Sequence, residues 1–443
     1  MKYGLLGEKL GHSFSPVLHG EMGKKDYGLI AVSREDVDKF LADADFEGIN
    51  VTIPYKEVAM KYCEPDEIAS DIGCVNTLLK NSDKVLGFNT DCLGFAYLAK
   101  SIGTAWKGKK VVILGSGGTS KTATYVAIKS GAASVTIVSR NKPENLNDRS
   151  FKPVYACDDQ MVYKSDYASV DEWKDAEILV NTTPVGMYPN NEATPIDLSI
   201  FIKLESVIDV IYNPLNTYLV MEAKKKGIPA TCGLPMLVAQ GWYAEEIWKN
   251  ADDLGKVDLR IESELSKEAI EEIERVVAIV MAQKQNIVLI GMPGSGKTTT
   301  GKDMMKILGR RFVDTDDAFT EKYGMKAGDY ITQYGVDDFR EKESLVVKEA
   351  AKEGGTIIAT GGGAVLREDN RDALKMNGKI VFLNQSIEKL ATDGRPLSAG
   401  DGLRKLYDER LPIYKAFADI TYDMTDEWEK NGTNILNILG MKE

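Results

Sequence analysis

The chain has 443 residues, 43% hydrophobic and 28% charged, with a formal net charge of −12. At about 150 residues per domain this length gives about three domains, the acidic balance disfavours nucleic acid as a general partner, and no apolar run approaches the roughly 20 residues that span a bilayer. Two histidines, and five cysteines at 63, 74, 92, 157 and 232 without a C-x-x-C pair, disfavour a histidine triad, a multi-histidine metal site and a disulfide framework, and point to a reducing, cytoplasmic setting.

Residues 3–6 read as a strand without a signal-peptide core. Gly11-His-Ser-Phe-Ser-Pro16 forms a polar turn before a helix over residues 17–23. Ser13 and Ser15 alternate with Phe14, so both hydroxyls can face one way, although serines before a Pro-started helix also serve as caps, and pattern alone favours capping. Residues 46–56 read as a strand ending in a proline turn that carries Lys56; residues 72–77 and 87–91 read as short strands ending in small polar residues. Polar side chains repeated at strand ends look like one site built from several strands. Lys56 and Asp91 could form a proton-handling pair or a surface salt bridge, and spacing leaves both open.

Four stretches occur in order: His12-Ser-Phe-Ser-Pro16, Asn50-Val-Thr-Ile-Pro-Tyr-Lys56, Gly73-Cys-Val-Asn-Thr77 and Gly87-Phe-Asn-Thr-Asp91. With them this segment resembles the substrate domain of shikimate dehydrogenases. The resemblance implies that Ser13 and Ser15 bind the substrate carboxylate, that Thr52, Asn76 and Asp91 bind ring hydroxyls, and that Lys56 is catalytic. Cys74 replaces a common alanine and Cys92 a usual glycine, both small changes.

Residues 109–114 read as a strand, Gly115-Ser-Gly-Gly-Thr-Ser-Lys121 as a glycine turn, residues 122–130 as a helix and 134–140 as the next strand, a βαβ unit of dinucleotide-binding type. The turn is G-x-G-G, built on Gly115, Gly117 and Gly118, with Ser120 at the third glycine position. NAD-binding versions tend to place an acid at the end of the second strand; this chain places Arg140, then Asn141 and Lys142, which suits the 2′-phosphate of NADP. Residues 177–187, 206–214 and 230–241 give further strands with polar loops, the last leading into a helix through Trp248. These also resemble shikimate dehydrogenase motifs. The resemblance implies that Met187, Tyr212, Gly233 and Met236 lie near the cofactor and that Gln240 returns to the substrate. Lys121 stands where arginine is frequent. The implied reaction is hydride transfer from NADPH to the ketone of 3-dehydroshikimate, with Lys56 hydrogen-bonding the carbonyl oxygen, Asp91 orienting Lys56, and no metal.

Residues 252–284 are charged and then helical, with Ile270, Ile273, Val276, Val277 and Val280 as an apolar stripe that places the domain boundary within about ten residues. Residues 287–290 read as a buried parallel strand, 291–298 fit G-x-x-x-x-G-K-[ST], and a helix follows from Thr299. The backbone of Gly291, Gly294, Ser295 and Gly296, running on to Thr299, would cradle phosphates. Lys297 would reach the β- and γ-phosphates, and Thr298 would ligate Mg²⁺. Residues 311–316 read as a strand ending in Asp-x-Asp. Then come Gly335-Val-Asp-Asp-Phe-Arg-Glu-Lys-Glu343, a strand delivering Gly361, Gly362 and Gly363, a strand over 379–383, Asp393-Gly-Arg-Pro-Leu397 and a helix bearing Leu406-Tyr-Asp-Glu-Arg-Leu-Pro-Ile-Tyr414. This set resembles shikimate kinase across residues 286–425. It implies that Asp314 holds the Mg²⁺ shell and that Asp316 binds the acceptor hydroxyl as candidate base. Arg340 and Arg410 would grip the substrate carboxylate, Gly361 to Gly363 would pack on its ring, and Arg395 would come from a lid. The segment before Arg395 is short and has Thr392 where arginine is common, which puts lid closure and the grip on ATP in question.

The expected fold is α/β throughout: a substrate-binding domain (1–105 and 235–255), a Rossmann NADP domain (106–234), a helical junction (256–285) and a P-loop kinase domain with a parallel sheet (286–443). The expected protein is a bifunctional shikimate-pathway enzyme with NADP(H), ATP and Mg²⁺, acting on small molecules and on neither nucleic acid nor membrane; its oligomeric state is not legible. Two alternatives stand beside it: an NAD-linked quinate/shikimate dehydrogenase, against which Arg140 argues, and one half kept as a non-catalytic module, against which the Lys56/Asp91 and Lys297/Asp316 sets argue. Shikimate is expected to diffuse freely between the two sites.

Overall fold

The computed structural model describes residues 2–11, 13–24, 26–140, 150–153, 155–157, 159–390 and 401–441. It divides into two compact units. The first holds the chain up to Val280 except Tyr188–Glu192 and Pro214–Tyr218, which group with the second unit from Met281 onward. Among the described residues no helix is long and apolar enough to cross a membrane.

The first unit contains two sheets. One has six strands in the order Gly28–Ala31, Tyr3–Gly7, Gly48–Val51, Thr77–Asn81, Lys84–Phe88 and Glu64–Pro65. Thr77–Asn81 runs antiparallel to both its neighbours, because a tight turn with Ser82 at φ 55° folds it onto Lys84–Phe88. All four residues of Gly48–Val51 are buried, as expected of a central strand covered on both faces. The other sheet has seven strands in the order Ala230–Thr231, Ser206–Asp209, Ile178–Asn181, Lys110–Leu114, Ser134–Ser139, Met161–Asp166 and Ser150–Phe151, parallel except at the last edge. From Lys110–Leu114 the chain winds to one side and then returns to build the other. That makes the carboxyl end of Lys110–Leu114 a topological switch point, where such sheets bind ligands. The helices Thr90–Ser101 and Leu234–Lys249 pack on each other, burying Leu93, Phe95, Met236 and Tyr243 in one cluster.

The second unit is one parallel five-stranded sheet in the order Phe312–Asp314, Ile357–Ala359, Asn286–Ile290, Gly378–Asn384 and Ile420–Asp423. Asn286–Ile290 is buried throughout and leads through the glycine loop into the helix Lys297–Leu308.

Several element boundaries differ from the sequence reading. Residues 72–77 do not form a strand. The helix Glu67–Ile72 ends at Gly73, whose φ of 80° closes it by an N–H bond to the Ala69 carbonyl, and pairing begins only at Thr77. The strand expected over 46–56 is confined to Gly48–Val51, and Lys56 opens a short helix, Lys56–Ala59. The Asp-x-Asp strand stops at Asp314, which caps the helix Thr315–Tyr323 by accepting the Asp316 amide; Asp316 therefore sits in a helical first turn. The helices after the two glycine loops start early, at Gly118 and Lys297. The junction helix runs Lys267–Lys284 and buries Ala269, Ile273, Val276 and Val280, which leaves Ile270 and Val277 at the margin of its apolar face.

Candidate active sites

A cavity of about 220 Å³ in the first unit brings together Ser13, Ser15, Thr52, Lys56, Asn76, Asp91, Tyr212, Gly233, Met236 and Gln240. Asn50, Phe14 and Thr119, which the sequence reading did not single out, also line it. Asp91 sits in the first turn of Thr90–Ser101, whose start is capped by Asn89 accepting the Cys92 amide. The Lys56 ammonium donates to Asp91 Oδ2. Asn76 Nδ2 donates to Asp91 Oδ1 at 3.0 Å and to Gln240 Oε1 at 3.3 Å, while Asn76 Oδ1 accepts the Thr90 amide at 2.7 Å. Both carboxylate oxygens are thus engaged, and the backbone fixes which way the Asn76 amide faces. Burial acts to lower the Lys56 pKa, but the charge and hydrogen bond of Asp91 outweigh it, so the value is raised and the ammonium persists at neutral pH. The pair lines the cavity, with side chains 27% and 18% exposed.

The helix Ser15–Glu21 begins after Phe14, which gives no side-chain cap, and Ser13 Oγ accepts the Ser15 amide at 3.2 Å. Ser13 thus serves the helix start, as pattern alone favours, and both serines also line the cavity. His12 lies outside the described residues.

The glycine turn stands at the switch point. Gly115 has φ 102°, and a Cβ there would lie 2.7 Å from Thr182 Oγ1; around Gly117 and Gly118 the space is open. An open turn before the amino end of Gly118–Lys129 suits a pyrophosphate, and Arg140, exposed just past Ser134–Ser139, suits a further phosphate. These residues fit NADP. Neither Arg140 nor Met187, which is 44% exposed, reaches the cavity wall. Asn141 and Lys142 lie outside the described residues.

The second unit holds a larger cavity, about 660 Å³, lined by Gly294, Gly296, Lys297, Thr298, Thr299, Asp314, Asp316, Arg340, Gly361, Gly362, Gly363 and Arg410. Gly291 and Ser295 are buried behind this wall. Lys297 Nζ donates to the carbonyls of Gly291 at 3.0 Å and Met292 at 2.8 Å, and Gly296 adopts φ 87° before the helix. Thr298 Oγ1 donates to Asp314 Oδ2 at 2.6 Å. A hydroxyl and a carboxylate at the mouth of a phosphate loop are hard oxygen donors that fit Mg²⁺.

The three glycines lie in close contact with side chains of the site. A Cβ at Gly361 would lie 2.7 Å from Asp316 Oδ1 and 2.9 Å from Glu343 Oε1, one at Gly362 would lie 2.7 Å from Pro293 Cδ, and one at Gly363 would lie 2.1 Å from Arg340 Nη2. Arg340 donates to Glu343 one turn along the helix Val336–Lys352. Burial raises the Glu343 pKa against the pull of Arg340. Glu343, which ends the stretch quoted from the sequence but carries no role there, also lines the cavity. Tyr414 donates to the Gly362 carbonyl, and burial pushes its phenol up to about 12. Arg395 lies outside the described residues.

Residues 5–78 match the family model described as shikimate dehydrogenase substrate binding domain, and residues 293–439 match that described as shikimate kinase. The shikimate dehydrogenase (NADP(+)) of Clostridium perfringens is 34% identical over 275 residues, which is 60% of this chain and 97% of the relative. Among solved structures, shikimate dehydrogenase 1 from Peptoclostridium difficile is 31% identical with a TM-score of 0.51, covering 63% of this chain and 98% of that one. A chorismate mutase/shikimate 5-dehydrogenase fusion protein from Clostridium acetobutylicum is 30% identical with a TM-score of 0.52, covering 63% and 96%.

Proposed function

The chain belongs to the shikimate dehydrogenase family, and from that premise, with a shikimate kinase domain following on the same chain, we propose that it is a bifunctional enzyme of consecutive reactions. The first unit reduces 3-dehydroshikimate to shikimate with NADPH. The second phosphorylates shikimate at the expense of ATP. The observation that carries this reading is that both families match one chain, and that the product of the first is the acceptor of the second.

Bound NADPH supplies the hydride, and bound Mg·ATP the phosphoryl group. The chain's own residues then have these roles. In the first cavity, Lys56 hydrogen-bonds the carbonyl oxygen and delivers a proton to it, and Asp91 holds Lys56 charged and in place. Ser13 and Ser15 take the carboxylate, and Thr52, Asn76 and Gln240 take ring hydroxyls. Gly115, Gly117, Gly118 and Arg140 receive the phosphates of NADP, while Met187, Tyr212, Gly233 and Met236 flank it. The bonds joining Lys56, Asp91, Asn76 and Gln240 support this assignment.

In the second cavity, the loop amides from Gly291 to Thr299, including Gly294, Ser295 and Gly296, hold phosphate oxygens together with Lys297. Thr298 and Asp314 hold Mg²⁺, and Asp316 accepts the proton of the attacking hydroxyl. Arg340 and Arg410 bind the acceptor carboxylate, since paired guanidinium groups suit a planar anion. Gly361 to Gly363 admit its ring, and Arg395 steadies the transferring group. The convergence of Gly294, Gly296, Lys297, Thr298, Asp314, Asp316, Arg340, Gly361 to Gly363 and Arg410 on one cavity supports their roles.

The first unit's two sheets support its division into a substrate-binding part, 1–105 with 235–255, and a nucleotide-binding part, 106–234. The five free cysteines support a cytoplasmic setting. The test is a pair of assays on the purified full-length protein: shikimate-dependent reduction of NADP and shikimate-dependent release of ADP from ATP. Both activities are expected, and the lack of either overturns the bifunctional reading.

A further inference from the structure

His19 and Glu245 form a buried pair that the reaction above does not use. His19 lies one turn beyond Ser15 on the helix Ser15–Glu21, and Glu245 follows Gln240 on Leu234–Lys249. The imidazole Nδ1 meets Glu245 Oε1 at 2.7 Å, with side chains 0% and 1% exposed. One proton joins Nδ1 and Oε1 across this contact. Burial, more than offsetting Glu245, holds the imidazole below its ordinary pKa, so the ring is neutral. Tyr27 stacks on that ring with centroids 3.9 Å apart and planes 11° apart, and its hydroxyl donates to Asn50 Oδ1 at 2.8 Å. Asn50 is in the cavity wall. Nearby, a Cβ at Gly241 would lie 2.4 Å from Leu18 Cδ2, so the Leu18 side chain packs directly on that glycine.

Burying a carboxylate against a neutral ring is a weak source of stability, because desolvation consumes much of the attraction. What the pair supplies is geometry. Apolar side chains can slide, whereas a 2.7 Å hydrogen bond sets the helices in one register. Ser15 and Gln240, which both line the substrate cavity, ride on those two helices.

We propose that His19 and Glu245 are positioning residues of the dehydrogenase, locking the serine-bearing helix to the Gln240-bearing helix and so setting the distance between the carboxylate-binding and hydroxyl-binding ends of the cavity. This rests on the dehydrogenase reading given above. The glycine turn that takes the phosphates belongs to another helix, and of the cofactor's neighbours only Gly233 and Met236 share the Gln240-bearing helix, so the pair bears mainly on the acid substrate.

The test uses His19→Leu, His19→Asn and Gly241→Ala in the full-length protein, with NADPH-binding stoichiometry counting native sites. In shikimate oxidation, His19→Leu and Gly241→Ala are each expected to raise the KM for shikimate about tenfold, with the KM for NADP within about twofold of wild type. His19→Asn places an amide nitrogen where Nδ1 was, and is expected to bring the shikimate KM back to within about threefold. A wild-type shikimate KM in either disrupting variant overturns the proposal, as does an equal rise in both KM values. If His19→Leu binds no NADPH, Gly241→Ala and His19→Asn decide on the same criteria. A wild-type protein that does not oxidise shikimate with NADP would instead sink the functional reading on which the pair depends.

Discussion

The cavity of the first unit, about 220 Å³, holds a set of polar side chains bonded to one another, whereas that of the second, about 660 Å³, sets six glycines among cations and carboxylates. In the first, Lys56, Asp91, Asn76 and Gln240 form one connected set. In the second, Gly294, Gly296 and Gly361 to Gly363 open space between Lys297, Arg340 and Arg410. The difference follows the chemistry. Carbonyl reduction develops charge on one oxygen, and a few pre-oriented donors suffice for it. Phosphoryl transfer must hold several anionic oxygens together with an acceptor, which calls for many N–H groups, positive charge and room for two substrates. Side chains wired to each other serve the first task, and vacated Cβ positions serve the second.

Single substitutions can break this contrast, beginning with the largest effect. Lys56→Ala is expected to cut shikimate oxidation at least about a hundredfold and leave the kinase rate at wild type, and Lys297→Ala to do the reverse. Loss of both rates in either variant, followed in the paired assays, would mean the two sites are not independent. Next comes Gly363→Ala. Its methyl would fall 2.1 Å from Arg340 Nη2 and displace the guanidinium. Kinase kcat/KM for shikimate is expected to drop about 10–100-fold with little change in the KM for ATP; a wild-type value would show that backbone crowding is not what the second site depends on. Arg410→Lys keeps the charge of a side chain only 5% exposed but loses the planar fork. A rise in kinase KM for shikimate of about tenfold is expected from steady-state kinetics, with dehydrogenase KM unaltered.

A last effect concerns stability in the first unit. Asp66 caps the helix Glu67–Ile72 by accepting the Ala69 amide at 2.8 Å, and burial raises its pKa from 3.8 to about 6. The native state therefore binds this proton more tightly than the unfolded chain does. The group's contribution is best below about pH 4 and falls as pH rises towards 6, by up to about 3 kcal/mol. Asp66→Asn keeps a capping oxygen without the charge. It is expected to raise the urea midpoint at pH 7 and to give no gain at pH 4. Tryptophan emission can follow this, since Trp106, Trp173, Trp242 and Trp248 all lie in the first unit. An equal gain at both pH values would contradict the sign.

What could be read from sequence was whatever carried its own geometry. The phosphate loop and the G-x-G-G turn are contiguous, and their positive φ angles at Gly296 and Gly115 are properties that glycine announces locally. Arg140 was legible because it follows directly on a strand. Pairing direction was not: nothing in residues 77–81 states that this strand runs against Gly48–Val51. The extent of residues 72–77 was misread because apolar residues before a polar cluster fit a helix end as well as a strand, and only the left-handed Gly73 distinguishes them. Ser13 and Ser15 were ambiguous for a similar reason, since a cap and a ligand site use the same hydroxyl. His19 and Glu245 escaped altogether, because 226 residues separate them and neither lies in a stretch with chemistry of its own.

Those long separations bear on how the protein comes into being. The Asn76–Gln240 bond spans 164 residues and the His19–Glu245 bond 226, and all of the seven-stranded sheet is synthesised in between. By contrast, Thr298 and Asp314 are 16 residues apart. On the ribosome, the residues that begin the chain must wait for the far side of the nucleotide-binding sheet before their cavity can exist. The phosphate end of the later unit waits for less chain, since the strands bearing the loop and Asp314 are joined by Ile357–Ala359. The first substrate cavity is thus a late event in its own unit's folding, although Ser13, Ser15 and Lys56 are made before any of the nucleotide-binding sheet.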